Sequence, residues 1–190
     1  MQVIKDKKVE IRFDDQIYQT SPVFITSDEY WNGGMNEEST LKEKASFYRL
    51  TAKMSDVVKA VILSLGEEPM IGKAFCEHGR MYANWSDIKS YKLFRIMAKT
   101  IQKNLHYTLS LPEDSSVIDM VVESNFRYFS HIALYLPRSQ VVICPSCHTE
   151  ILVYAHDTAK IVPILQKTIE QYSDVNHKIF LRVTNGEQCV

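Results

Sequence analysis

The chain has few cysteines and no long apolar run. Four cysteines at scattered spacings in 190 residues do not form a disulfide framework, so a disulfide-stapled secreted domain is excluded. The longest apolar run in a predicted helix, residues 57–65, contains Lys59 and is too short to span a bilayer. Residues 1–8 lack the apolar centre of a signal peptide. We therefore expect a cytoplasmic protein with no membrane partner.

An excess of charge of one sign is also missing. The 22 basic and 23 acidic residues leave a net charge of −1, which excludes bulk electrostatic attraction to nucleic acid or membrane. The sequence contains no Gly-rich phosphate loop, no Gly-x-Ser-x-Gly elbow and no His-Glu-x-x-His helix. These absences favour a protein that is not an enzyme, and they leave open a Cys–His pair assembled in space.

What is present is the composition of an ordinary folded protein. The chain is 45% hydrophobic and 24% charged, which is typical of a globular protein with a substantial core. Its length predicts a single globular domain over residues 1–190, with a mobile loop at 27–39 and a C-terminal tail at 184–190. Aromatic residues make up 11% and include ten tyrosines, a content that suits a large contact surface.

Hydrophobic periodicity predicts an α+β fold. We expect a mostly antiparallel sheet with hairpins, packed against two long amphipathic helices and two shorter ones. The predicted helices cover residues 41–65, 87–104, 116–123 and 157–172. The predicted strands cover residues 9–13, 16–20, 22–26, 73–76, 80–83, 107–111, 131–136, 141–154 as a hairpin, and 178–183.

The helix over residues 41–65 has the strongest local signals. Thr40 and Glu43 fit a capping box, in which each side chain accepts a hydrogen bond from the other residue's backbone. Apolar residues then recur at three- and four-residue steps. Gly66 stands where a left-handed C-terminal residue is preferred, and Pro69 prevents the helix from resuming.

Residues 141–154 combine predictable architecture with reactive side chains. Two β-rich apolar runs flank a turn that carries Cys144, Cys147 and His148. This turn resembles one knuckle of a zinc ribbon, in which two thiolates lie at the tip of a hairpin. The resemblance covers about a dozen residues and lacks the second Cys-x-x-Cys pair.

A structural zinc ion needs four ligands in a tetrahedral arrangement. Cys76 and His78, at another predicted hairpin tip, would complete a Cys₃His set with Cys144 and Cys147, and His148 is a spare ligand. The alternative is that Cys76 and Cys144 are ordinary buried cysteines and Cys147 a free thiol. We therefore expect either no cofactor or one structural Zn²⁺.

Two other kinds of cysteine site do not fit the sequence of this turn. A zinc deaminase needs His-x-Glu or Cys-x-Glu and Pro-Cys-x-x-Cys at helix starts, whereas Glu77 directly follows Cys76 and Ile143 precedes Cys144. A thioredoxin-like site needs Cys-x-x-Cys at a helix N-terminus, whereas residues 149–154 are predicted to form a strand.

Two segments are candidate partner-binding surfaces. The acidic loop over residues 28–38 contains Tyr30 and Trp31, two residue types enriched at binding hot spots, although it can also be a plain connector with Trp31 on the core. The helix predicted over residues 87–104 has a basic stripe, which is either a docking face or a solvated surface. The stripe consists of Lys89, Lys92, Arg95, Lys99 and Lys103.

Three functional hypotheses follow. The first is a non-catalytic cytosolic binding or regulatory protein that acts by surface contact with another macromolecule, in the first place another protein. The second is a zinc-stabilised module that uses the basic stripe to bind nucleic acid. The third is an enzyme with a site around Cys76, His78 and Cys144.

Overall fold

A computed structural model describes residues 20–29, 31, 39–73, 107–127, 132–174 and 178–183 of the protein. In these residues seven strands form one antiparallel sheet in the order β3-β2-β4-β5-β6-β1-β7. The strands are β1 (Val23–Ser27), β2 (Met70–Lys73), β3 (Tyr107–Thr108), β4 (Ile132–Leu136), β5 (Val141–Pro145), β6 (Ile151–Ala155) and β7 (Ile179–Val183). The helices are α1 (Leu41–Leu65), α2 (Ser115–Phe126) and α3 (Thr158–Ile169).

The predicted number of helices is wrong for these residues. They contain three helices, one of 25 residues and two of 12, rather than two long and two shorter ones. The second long helix was predicted over residues 87–104, which lie outside the described residues. The broader α+β class is consistent with the structure, because the helices pack on an antiparallel sheet.

Other predictions also fall on residues that the structure does not describe. They are the strands at 9–13 and 16–20, the strand at 80–83, most of the loop at 27–39 and the tail at 184–190. Strand β2 begins directly after Pro69, three residues before the predicted strand at 73–76, of which residues 74–76 lie outside the described residues. The single-domain organisation stays a prediction.

Helix α1 forms where its local signals predict it. The Thr40 hydroxyl accepts a hydrogen bond from the Glu43 backbone N–H, and the Glu43 carboxylate accepts one from the Thr40 backbone N–H. The Thr40 backbone N–H and the Thr40 hydroxyl both donate to the Glu43 carboxylate, and these two bonds hold the pKa of Glu43 below its ordinary value. Gly66 ends the helix in the left-handed region, with φ of 64°, a conformation that costs little only for glycine. The buried residues of α1 form one stripe against the sheet.

All three described helices lie on one face of the sheet. Their apolar residues join alternate residues of the strands in the main core. The opposite face carries a smaller cluster of three buried residues, to which no described helix contributes. These residues are Ala133, Tyr135 and Val142. No helix in the described ranges is both long and apolar enough to cross a membrane.

Helix α3 tolerates a proline within its length. The helix begins at Thr158, and the Asp157 side chain caps it by accepting a hydrogen bond from the Lys160 backbone N–H. Pro163 lies inside the helix, beyond the first position where proline fits without loss of a hydrogen bond. Leu165 and Ile169 are nevertheless buried in the core, so tertiary packing outweighs the proline penalty.

The turn between β4 and β5 is held by one buried carboxylate. Glu67, just beyond α1, accepts hydrogen bonds from the backbone N–H groups of Arg138 (2.6 Å) and Ser139 (2.9 Å) and from the Ser139 hydroxyl (2.9 Å). Only 5% of its side chain is exposed. Glu67 thereby links the end of α1 to a turn that is 71 residues away in the sequence.

Replacing Glu67 with alanine is expected to lower the free energy of unfolding by about 2–3 kcal/mol. The substitution leaves two backbone N–H groups without their charged acceptor, and such bonds contribute about 1.5–3 kcal/mol. Urea denaturation followed by circular dichroism measures the change. The matched control is Glu68→Ala, because Glu68 is exposed and its loss should change stability by less than about 0.5 kcal/mol. Equal effects of the two substitutions would contradict an anchoring role.

Candidate functional site

The hairpin of β5 and β6 presents its turn, residues 146–149, at one end of the sheet. Ser146 N–H donates to the Glu150 carbonyl (2.8 Å) and Thr149 N–H donates to the Ser146 carbonyl (3.0 Å). Thr149 has a positive φ of 58°, which is uncommon for a residue other than glycine. These bonds give the Cys-x-x-Cys-His segment a defined backbone conformation.

The two cysteines of this segment have different surroundings. Cys144 lies on β5, half-buried, and packs against the smaller cluster on the sheet face that is opposite to the helices. Cys147 lies in the turn and is also half-buried. Neither takes part in a disulfide. His148 beside them is exposed.

The predicted zinc site is only partly within the described structure. Cys144 and Cys147 are described, whereas Cys76 and His78 lie outside the described residues. Among the residues that are described, no three His, Cys, Asp or Glu side chains are grouped so that they could hold a metal ion. The Cys₃His set therefore stays a prediction, as does the enzyme site proposed around Cys76, His78 and Cys144.

The environment of Cys147 disfavours its thiolate form. Desolvation raises the pKa of the thiol above its ordinary value, and hydrogen bonds to the Cys147 backbone and the Ser146 side chain oppose this effect only in part. A raised pKa lowers the thiolate fraction near neutral pH, and the thiolate is the nucleophile and the metal ligand. In the metal-free protein, Cys147 is thus a poorly activated thiol.

Alkylation of Cys147 is expected to need a higher pH than alkylation of the same cysteine in a free peptide. The rate follows the thiolate fraction, so a raised pKa moves the midpoint of the pH–rate profile upward. The measurement uses chelator-treated protein with the substitutions Cys76→Ser, Cys144→Ser and Cys189→Ser. A peptide of residues 141–154 with Cys144→Ser is the control. A midpoint at or below that of the peptide would contradict the prediction.

The segment before α1 is anchored to the sheet by polar contacts. The Ser27 hydroxyl donates to the Glu29 carbonyl (2.7 Å), and the Ser46 hydroxyl donates to the Glu29 carboxylate (2.5 Å). The Asp28 carboxylate accepts a hydrogen bond from the Lys178 backbone N–H (3.0 Å). The chain that leaves β1 is therefore fixed to both α1 and β7.

Trp31 connects this segment to the cysteine-containing turn. Its backbone N–H donates to the Thr149 hydroxyl (3.3 Å), across 118 residues of sequence. Its indole ring is half-buried and meets the ring of Phe47 edge-on, with 5.6 Å between centroids. The indole Nε1 is buried and has no hydrogen-bond partner in the described part of the chain. Trp31 is thus a core contact that also forms part of the surface.

We call residues 28, 29, 31 and 147–149 the loop–turn surface. Its two parts were predicted separately, as a partner-binding loop and as a zinc knuckle, and the structure brings them together. Sequence reasoning missed Thr149, which makes this contact, and Ser46, which holds Glu29, because neither belongs to a recognisable motif. Of the other predicted partner-binding residues, Tyr30 and the basic stripe lie outside the described residues. The stripe consists of Lys89, Lys92, Arg95, Lys99 and Lys103.

A second polar cluster lies on the sheet face opposite to the helices. The Arg182 guanidinium donates to both oxygens of the buried Glu150 carboxylate, at 2.9 and 3.2 Å. It also lies over the Phe24 ring, 4.5 Å from the ring centroid. These contacts join β7 to β1 and to the start of β6 by charge and by cation–π attraction.

No protein-family model matches this chain, and comparisons with curated proteins and with solved structures find no significant similarity.

Proposed function

We propose that the protein is a non-catalytic binding protein that acts by surface contact with another protein, in the cytosol. The contact is made at the loop–turn surface. The observation that carries the proposal is the hydrogen bond between Trp31 N–H and the Thr149 hydroxyl. It joins two segments that are distant in sequence, one with Asp28, Glu29 and Trp31 and the other with Cys147 and His148.

The anchoring of this surface favours binding. Ordering a flexible loop on association costs free energy for each side chain that is immobilised. Here Glu29 is already held by Ser46, and Trp31 by Thr149 and Phe47. A partner that meets these groups would order fewer of them. Tryptophan and tyrosine are also the residues that most often dominate binding energy at protein interfaces.

The charge of this surface suits a protein partner better than a nucleic acid. Asp28 is exposed, and Glu29 lies beside it, so a phosphate backbone would meet negative charge here. A basic or mixed protein surface would instead be attracted, which increases the rate of association. Nucleic-acid binding through the basic stripe, with a structural zinc ion, remains the alternative proposal.

Affinity capture from an extract of the source cells tests the proposal. Wild-type protein is compared with the double variant Asp28→Asn, His148→Ala, which changes two exposed side chains of the loop–turn surface and keeps Trp31. The control is Lys42→Ala, Arg49→Ala, since both residues are exposed on α1. We expect wild type and control to recover the same protein and the double variant to recover at least about tenfold less, a change of about 1.4 kcal/mol.

Two further conditions separate this proposal from its alternative. Nuclease treatment should leave recovery unchanged if the partner is a protein, and it should abolish recovery if nucleic acid connects the two. Binding of the purified partner is then measured by calorimetry at low and high salt. Equal recovery of every protein by wild type, double variant and control would reject the loop–turn surface as the contact site.

A further inference from the structure

Strand β7 lies at one edge of the described sheet. It pairs with β1 on one side, and no described strand pairs with its other side. Two of its five residues are large apolar residues with unusually exposed side chains, Phe180 at 45% and Val183 at 48%. An open strand edge of this kind is a template for pairing with another strand.

The direction of the backbone groups along β7 follows from one hydrogen bond. Asp28 N–H donates to the Lys178 carbonyl (3.1 Å). In an antiparallel pair, hydrogen-bonded and non-hydrogen-bonded residues alternate. The backbone groups of Phe180 and Arg182 therefore face β1, and those of Ile179, Leu181 and Val183 face outward.

One further contact agrees with this assignment. Ile179 N–H donates to the Ser173 hydroxyl (3.2 Å) instead of to β1. The outward donors that remain for another strand are the N–H groups of Leu181 and Val183. The outward acceptors are the carbonyl groups of Ile179, Leu181 and Val183.

We propose that two copies of this chain associate through β7, in an antiparallel pair centred on Leu181, so that their sheets become continuous. Around this centre each Leu181 N–H meets the Leu181 carbonyl of the other copy. Each Val183 N–H meets the Ile179 carbonyl of the other copy. The Ile179 N–H would face the Val183 carbonyl of the other copy, but it is already bound to Ser173 and contributes no hydrogen bond to the pair.

The side chains are self-complementary in the same register. On the face that carries the helices, Ile179 lies opposite Val183 of the second copy, and Leu181 lies opposite Leu181. On the other face, Phe180 lies opposite Arg182 of the second copy. The Arg182 guanidinium already has the Phe24 ring on one side, and Phe180 of the second copy would supply a second ring. Such cross-strand pairs stabilise a sheet.

The charge of Arg182 disfavours one neighbouring register of the pair. A shift of the register by two residues would place Arg182 opposite Arg182, which is unfavourable. Centring on Leu181 avoids this repulsion. The net charge of −1 gives little repulsion between copies. The inference concerns a surface separate from the loop–turn surface and does not depend on the proposed function.

Sedimentation velocity over a wide range of concentrations tests the association. The wild type should shift from 22.0 kDa toward twice that mass as its concentration increases. Leu181→Pro should stay monomeric, because proline removes an outward N–H and leaves the bonds to β1. Leu181→Ala removes the same side chain but keeps the N–H, so it should still associate more than the proline variant.

A second pair of variants tests the register and does not rely on proline. In a background where all four native cysteines are replaced by serine, Leu181→Cys places two thiols directly opposite each other. The Cα separation in such a pair is about 5.5 Å, within the range of about 4.4–6.8 Å that a disulfide spans. Mild oxidation should therefore cross-link this variant and leave Phe180→Cys uncrosslinked, since the latter residues are offset.

Several results would overturn the proposal. One is a wild type that sediments as a monomer at every concentration, which is the result expected if β7 pairs with a strand of another protein or with no strand. Another is a Leu181→Pro protein that folds and associates like the wild type. Equal cross-linking of Leu181→Cys and Phe180→Cys would exclude the register. Circular dichroism of each variant shows whether loss of association reflects loss of folding. If Leu181→Pro does not fold, the comparison of Leu181→Cys with Phe180→Cys tests the association instead.

Discussion

Replacing Val57 with aspartate is expected to abolish cooperative folding. Val57 lies at the middle of α1, and its side chain is 0% exposed in the main core. An unpaired carboxylate there costs several kcal/mol, on the order of the whole stability of a domain, about 5–15 kcal/mol. The measurement is thermal and urea denaturation followed by circular dichroism, in which the variant should lack a sigmoidal transition.

The matched control places the same charge on the other side of the same helix. Ala52 is exposed, so Ala52→Asp should lower the free energy of unfolding only by the difference in helix propensity, which is below about 1 kcal/mol. The variant should fold cooperatively with a slightly lower midpoint. A Val57→Asp protein that unfolds like Ala52→Asp would contradict the packing of α1 on the sheet.

Asn125 is the position where we expect the second large effect. Its buried amide donates to the carbonyl groups of Ile132 and Pro145, both at 2.8 Å, and its carbonyl accepts from Ile132 N–H at 3.2 Å. It thereby ties the end of α2 to the start of β4 and the end of β5. Asn125→Asp would turn a carboxylate oxygen toward two carbonyl oxygens and should cost about 3–5 kcal/mol.

Two comparisons isolate the cause of this loss. Asn125→Ala removes the hydrogen bonds without adding charge, and it should cost about 2–3 kcal/mol because buried backbone groups lose their partner. Ser116→Asp adds the same charge at an exposed position of α2 and should be nearly neutral. Urea denaturation ranks the three variants. An Asn125→Asp protein as stable as Ser116→Asp would contradict the bridging role of the amide.

Elements whose determinants are local could be predicted from the sequence. Helix α1 carries its own start in Thr40 and Glu43 and its own end in Gly66, so its bounds were predicted correctly. The hairpin of β5 and β6 is similarly confirmed, because a turn between two apolar runs pairs them directly. The start of strand β2 at Met70 was not predicted, since it is determined by pairing with β4 rather than by its own residues.

Contacts between distant segments could not be predicted in this way. Trp31 and Thr149 each lie in a segment that was predicted to be a candidate site, but no local sequence pattern indicates that the two residues are in contact. The same holds for Asn125, whose partners in β4 and β5 are fixed only when the sheet is assembled. The order of strands in the sheet is a property of this kind, because the alternation of apolar residues says which face is buried and not which strand is the neighbour.

The place of β1 in the sheet has a consequence for the time course of folding. β1 precedes every other described strand, yet its neighbours are β6 and β7, the last two to be synthesised. During synthesis from the N-terminus, β2 to β5 can pair while β1 still has no partner. Closing so large a loop carries an entropic cost that slows folding. The nascent chain therefore exposes Val23 and Ile25, two residues of the final core, until its C-terminal strands emerge and cover them.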